Sequence, residues 1–144
     1  MSARMFERSG LDAGMPPHRA LLDLGFSNRG TRAAERVSVN VLVPRGFGIT
    51  PCEQNGWPID MGRVETSSER LDGEIGVVFW ADTIGPIDVG VFKPVHLLIE
   101  GVWPGTSFPV LLKMTHEDSA HEIHVRRILH IPASGTDIVV SESS

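Results

Sequence analysis

The sequence predicts an all-β domain, a single six- or seven-stranded antiparallel barrel or sandwich with an irregular N-terminal extension. Three observations predict it. Apolar and polar residues alternate at period two in several segments. Turn residues separate these segments roughly every 8–12 positions. The chain has fifteen glycines and ten prolines in 144 residues. Together they make up a larger fraction of the chain than the usual value of about 12%, which favours many turns over a helical bundle. The length fits one domain.

Composition and charge exclude several classes of protein. Apolar residues make up 41% and charged residues 22% of the chain, which is typical of a globular domain. The net charge of −5 argues against a DNA or RNA partner, because such binders carry a strong positive field. A single cysteine, Cys52, excludes an internal disulfide framework and a multi-cysteine zinc site.

The chain shows no segment suited to a membrane. The longest apolar run, Ile75 to Ala81, is far shorter than the roughly 20 residues that span a bilayer. The first ten residues, MSARMFERSG, carry charges with no apolar stretch behind them. We therefore expect no membrane insertion and a cytoplasmic location.

Residues 1–31 differ in pattern from the rest and are interpreted as an N-terminal extension, partly disordered or a short helix. The helix would cover PPHRALLDLG, since Pro17 suits a first helical position and Gly25 suits a helix end. Residues 32–144 are interpreted as the β-domain.

The first strand of that domain is the clearest. In ERVSVNVLVP, Val37, Val39, Val41 and Val43 fall on one face and polar residues on the other, and Pro44 ends the run. Residues 45–62 predict a long loop or a short hairpin with a tight turn at Asn55-Gly56.

Six further segments predict strands by their β-branched and aromatic content and by the turns between them. They are Arg63 to Ser67, residues 73–82, Val95 to Trp103, Phe108 to Thr115, His121 to Ile131, and Asp137 to Val140. Phe79 and Trp80 are adjacent on one strand and face opposite sides. One of them therefore needs a cover from outside the sheet, either the N-terminal segment or a second subunit.

Three arginines, Arg29, Arg32 and Arg36, lie close together in the sequence just before the first clear strand. Their planar guanidinium groups suit a diphosphate-like ligand and can stack on a flat base. The Arg-x-x-x-Arg segment RAAER, which ends at Arg36 and runs directly into the strand, resembles the PilZ domain, a cyclic-di-GMP receptor. That resemblance implies a six-stranded barrel in which Arg32 and Arg36 grip the dinucleotide and Arg29 assists.

The second PilZ element, Asp or Asn, any residue, Ser, two residues, Gly, has only a partial counterpart. The nearest segment is ETSSER, residues 65–70, with Glu65 for Asp or Asn and Arg70 for Gly. The resemblance implies that Glu65 and Ser67 line the ligand base. Barrels with altered motifs of this kind tend to act as protein adaptors. The candidate ligand-binding residues are Arg29, Arg32, Arg36, Glu65 and Ser67.

A histidine-rich hairpin offers a metal alternative, although we predict no metal and no cofactor. On a strand Glu122 and His124 share a face, and His116 can join them across the turn. The alternative interpretation is that these residues form only a polar hairpin tip, without a metal. Cys52 has no local base beside it, and no Gly-x-Ser-x-Gly, Gly-x-Gly-x-x-Gly or phosphate-loop motif occurs, so we predict no enzyme.

The sequence leaves two main candidate functions. The first is a non-catalytic PilZ-type regulator that binds cyclic-di-GMP, or a degenerate adaptor of that type. The alternative is a structural or assembly module of a larger complex, such as a phage or secretion assembly, that binds a protein partner or associates with itself. A metalloenzyme built on the histidine hairpin is the third hypothesis.

Overall fold

The computed structural model describes residues 1–6, 18–71, 74–116, 122–134 and 137–142. These residues form ten β-strands. They contain no helix, and so none long and apolar enough to cross a membrane. The strands are β1 (Ser2–Phe6), β2 (His18–Ser27), β3 (Val37–Pro44), β4 (Gly48–Cys52), β5 (Arg63–Leu71), β6 (Glu74–Ile84), β7 (Phe92–Val102), β8 (Ser107–His116), β9 (Ile123–His130) and β10 (Val139–Glu142).

The strands form two antiparallel sheets that do not close into a barrel. One has six strands in the order β10-β9-β8-β3-β6-β5, and the other has four in the order β1-β2-β7-β4. In the larger sheet Val37 of β3 lies opposite Ile84 of β6 and His116 of β8. The prediction of an all-β antiparallel fold is confirmed. The predicted count of six or seven strands is too low, because β1, β2 and β4 were not predicted as strands, whereas the other seven strands overlap the predicted segments.

One hydrophobic cluster joins the two sheets. Every strand except β5 contributes residues to it, mostly alternate ones because side chains on a strand point to opposite faces at period two. We call the face of each sheet that lines this cluster the inner face. The inner residues include Val39, Val41, Trp80, Val110 and Leu129 from the larger sheet and Ala20, Leu22, Leu24, Leu97 and Ile99 from the smaller one. Burying each large aliphatic side chain contributes about 1.5–3 kcal/mol.

The expected short helix near residue 20 is wrong, because His18–Ser27 is a strand. This strand lies between β1 and β7, and Ala20, Leu22 and Leu24 are buried in the core. The segment ALLDL carries apolar residues at both helical and alternating spacings, and pairing with β7 decides between them. In place of an irregular extension, the described part of residues 1–31 supplies two strands. Pro17 lies outside the described residues.

Phe79 and Trp80 do face opposite sides, as predicted. Trp80 is fully buried between the sheets, and its indole Nε1 donates a hydrogen bond to the carbonyl oxygen of Met61 at 2.8 Å. Phe79 lies on the outer face of the larger sheet, where it packs with Leu42, Leu71 and Leu111. The cover for Phe79 thus includes Leu71, at the end of the neighbouring strand β5.

Candidate functional site

Two connecting segments, residues 28–36 and 85–92, meet at one end of the sheets. We call these two segments together the arginine-bearing end. Ala34 and Ile87 exchange backbone hydrogen bonds of 2.9 and 2.8 Å. The Asn28 side-chain amide donates to the carbonyl oxygens of Arg32 and Ile87, at 2.8 and 2.9 Å. These bonds fix residues 28–36 against the loop that joins β6 to β7.

The three arginines of this end are exposed but do not share one concavity. Arg29 lines a cavity between the two sheets. Arg36 lines a separate shallow depression with Ser38, Thr83 and Thr115, and His116 borders both spaces. Arg32 lines neither of them. None of the three arginines forms an ion pair with a carboxylate of a described residue.

The structure places Glu65 and Ser67 apart from these arginines, on the edge strand β5. Glu65 lies opposite Phe79 and next to Arg63, whose Nε is 3.7 Å from its carboxylate. The residue that follows Arg36 lies opposite Ile84, five residues further along β6. That separation is roughly 17 Å at about 3.4 Å per residue. The two parts of the expected ligand site are therefore not brought together.

The cavity between the sheets has a volume of about 390 Å³. Its walls come from the inner faces of both sheets at the arginine-bearing end and are mainly apolar. They include Phe26, Val37, Leu112, Met114 and Val125. Local sequence patterns do not indicate this cavity, because its lining comes from strands that are far apart in the chain.

An apolar surface lies beside the cavity, on the loop that joins β6 to β7 and on the first residue of β7. Val89, Val91 and Phe92 are exposed, Phe92 by 64%. The Phe92 ring lies over Gly25 of β2, where an added Cβ would collide with the ring. Glycine at this position lets the aromatic ring rest on the sheet while most of it faces solvent. In the sequence, this surface is indicated by three apolar residues within a segment whose other residues are typical of turns.

The candidate metal ligands lie on two faces of the larger sheet. His124 is opposite Lys113 on the outer face and contacts the Glu122 carboxylate. His116 is opposite Val37 and lines the cavity on the inner side. Within the described ranges, no group of three or more His, Cys, Asp and Glu side chains is arranged to hold a metal ion. His121 lies outside those ranges.

A row of Cys, His and Asp crosses the outer face of the smaller sheet. His96 of β7 lies opposite Asp23 of β2 and Cys52 of β4, and its Nδ1 is 2.5 Å from the Asp23 carboxylate. In thiol enzymes a carboxylate orients a histidine base, which activates a cysteine nucleophile, and Asp23, His96 and Cys52 stand in that order. However, burial, and after it the Asp23 charge, raise the pKa of Cys52 to about 11. The thiol therefore stays protonated at neutral pH and is a poor nucleophile.

Comparison with known proteins assigns the chain to no family. No protein-family model matches it, and no curated protein matches its sequence.

Proposed function

We propose that the chain is a non-catalytic β-sandwich that serves as an assembly module, associating with a second copy of itself through the arginine-bearing end. One observation carries the proposal: Val89, Val91 and Phe92 form an exposed apolar stretch that is hydrogen-bonded to residues 28–36 through Gly90, whose N–H donates to the Asn28 carbonyl at 3.0 Å. Contiguous exposed apolar side chains with a polar rim are typical of protein interfaces.

The partner is a second copy because the surface is complementary to itself. The two connecting segments that form this end carry exposed groups of both signs, Arg32, Glu35 and Arg36 on one segment and Asp88 on the other. In a two-fold interface each residue meets a different residue and the contact is repeated in reverse. An arginine of one copy can therefore face a carboxylate of the other around a shared apolar centre.

Phe92 is the expected anchor of this interface. Aromatic side chains near the centre of an interface carry much of the binding free energy. The ring already rests on Gly25, so little conformational freedom is lost on association.

Sedimentation velocity of the full chain over a concentration series tests the proposal. We expect a monomer–dimer equilibrium that Phe92→Ser weakens by about ten- to a hundredfold, the loss expected when one buried aromatic is removed. Trp103→Ser is the matched control. Trp103 is 54% exposed and follows the far end of β7, about 35 Å from Phe92, so it should leave the equilibrium unchanged. A wild-type chain that stays monomeric, or an equal effect of both variants, would overturn the proposal.

A PilZ-type cyclic-di-GMP receptor is the second candidate. The observation in its favour is that Arg29 and Arg36 line two spaces that both border His116. Calorimetry with cyclic-di-GMP should then show micromolar binding that Arg36→Ala abolishes. Absence of heat at protein concentrations well above that range would remove this candidate.

A further inference from the structure

The cavity between the sheets has the size of a small-molecule site. Its volume of about 390 Å³ falls in the range of about 300–1,000 Å³ that is usual for ligand pockets. The occupant that fits is therefore a small molecule.

The lining selects the chemistry of the occupant. Phe26, Val37 and Leu112 form an apolar wall, and Met114 and Val125 are only half-buried although they face the other sheet. The core is thus open to an aliphatic group at this end. Such a group would be stabilised by leaving water for this apolar surface.

The described residues that line the cavity carry charge of one sign. Arg29 lines the cavity, and among its described lining residues there is no aspartate or glutamate. The Arg29 guanidinium is exposed and forms no ion pair with a described carboxylate. A guanidinium group binds a carboxylate through two parallel hydrogen bonds.

From these observations we propose that the cavity binds a small aliphatic carboxylate. Its hydrocarbon chain lies between the two sheets and its carboxylate pairs with Arg29. The site lies within one chain and does not depend on self-association.

Calorimetry with octanoate and with 1-octanol tests the proposal on the full-length protein. We expect saturable one-to-one binding of octanoate, at least tenfold tighter than that of 1-octanol. Arg29→Gln should lower octanoate affinity to the level of the alcohol. Arg32→Gln, in the same segment but outside the cavity lining, is the matched control and should change nothing. No saturable binding of octanoate, or an equal loss in both variants, would overturn the proposal.

Methyl NMR locates the ligand and separates this proposal from self-association. Octanoate should shift the methyl signals of Met114, Val125 and Ile123 and leave Leu98, on the outer face of the smaller sheet, unchanged. The same shifts are expected in the Phe92→Ser variant, which is designed to stay monomeric. Shifts confined to Leu98, or shifts that disappear in Phe92→Ser, would contradict a site inside one chain.

Discussion

At the residue scale, two tryptophans provide a matched test of the core. Trp80 is fully buried and donates to the Met61 carbonyl, whereas Trp103 is exposed. Trp80→Phe removes buried volume and leaves that carbonyl without its donor, so we expect it to lower the free energy of unfolding by about 2–4 kcal/mol. Trp103→Phe should change it by no more than about 0.5 kcal/mol. Urea unfolding measures both, and equal losses would contradict the placement of Trp80.

Cys52 gives a second prediction at this scale, on pH dependence. Its pKa rises from the ordinary value of 9.0 to about 11 in the folded chain. Between these values the unfolded chain has released the thiol proton and the folded chain still holds it. Stability from this group is therefore complete below about pH 9 and is lost as the pH rises towards about 11.

Chemical unfolding at a series of pH values between 8 and 11, compared between wild type and Cys52→Ala, checks this sign. We expect the wild-type free energy of unfolding to fall more steeply across this range than that of the variant. The chain has no tyrosine, so few other groups titrate there. Parallel curves for the two proteins would show that Cys52 is not buried as described.

At the element scale, β2 is the strand whose assignment changes most between sequence and structure. It occupies an interior position of the smaller sheet, and Leu22 is fully buried. Leu22→Ala should therefore lower the free energy of unfolding by about 2–5 kcal/mol. Ser27→Ala, at an exposed position of the same strand, is the control and should have little effect. If urea unfolding shows both variants near wild-type stability, residues 18–27 are not part of the core.

The strands with the clearest signal in the sequence are those with long, unambiguous alternation. Val37 to Val43 and Phe108 to Met114 place apolar side chains at every second position, and both segments form strands in the structure. β1 and β4 have five residues each, too few for alternation to be distinctive. β2 carries two adjacent leucines, and only its pairing with β7, which follows it by some seventy positions in the chain, fixes its conformation.

At the scale of the whole molecule, the position of the arginines could be predicted but their grouping could not. Arg36 does stand at the entrance to a strand, as the sequence indicates. Which side chains share a cavity with Arg29 depends on the order of strands in two sheets, which local patterns do not encode. The exposure of Phe92 likewise depends on Gly25, a residue on a different strand.

Pulsed dipolar spectroscopy on spin-labelled dimers measures whether the chain associates with itself through the arginine-bearing end. Labels are placed at Val91→Cys or, separately, at Val139→Cys in a Cys52→Ala background. Val91 and Val139 are both exposed, and Val139 lies near the opposite end of the sheets, across from His130 on β9. The distance between the two copies should be shorter at position 91 than at position 139. The reverse order, or no dipolar coupling at either position, would rule out self-association through this end.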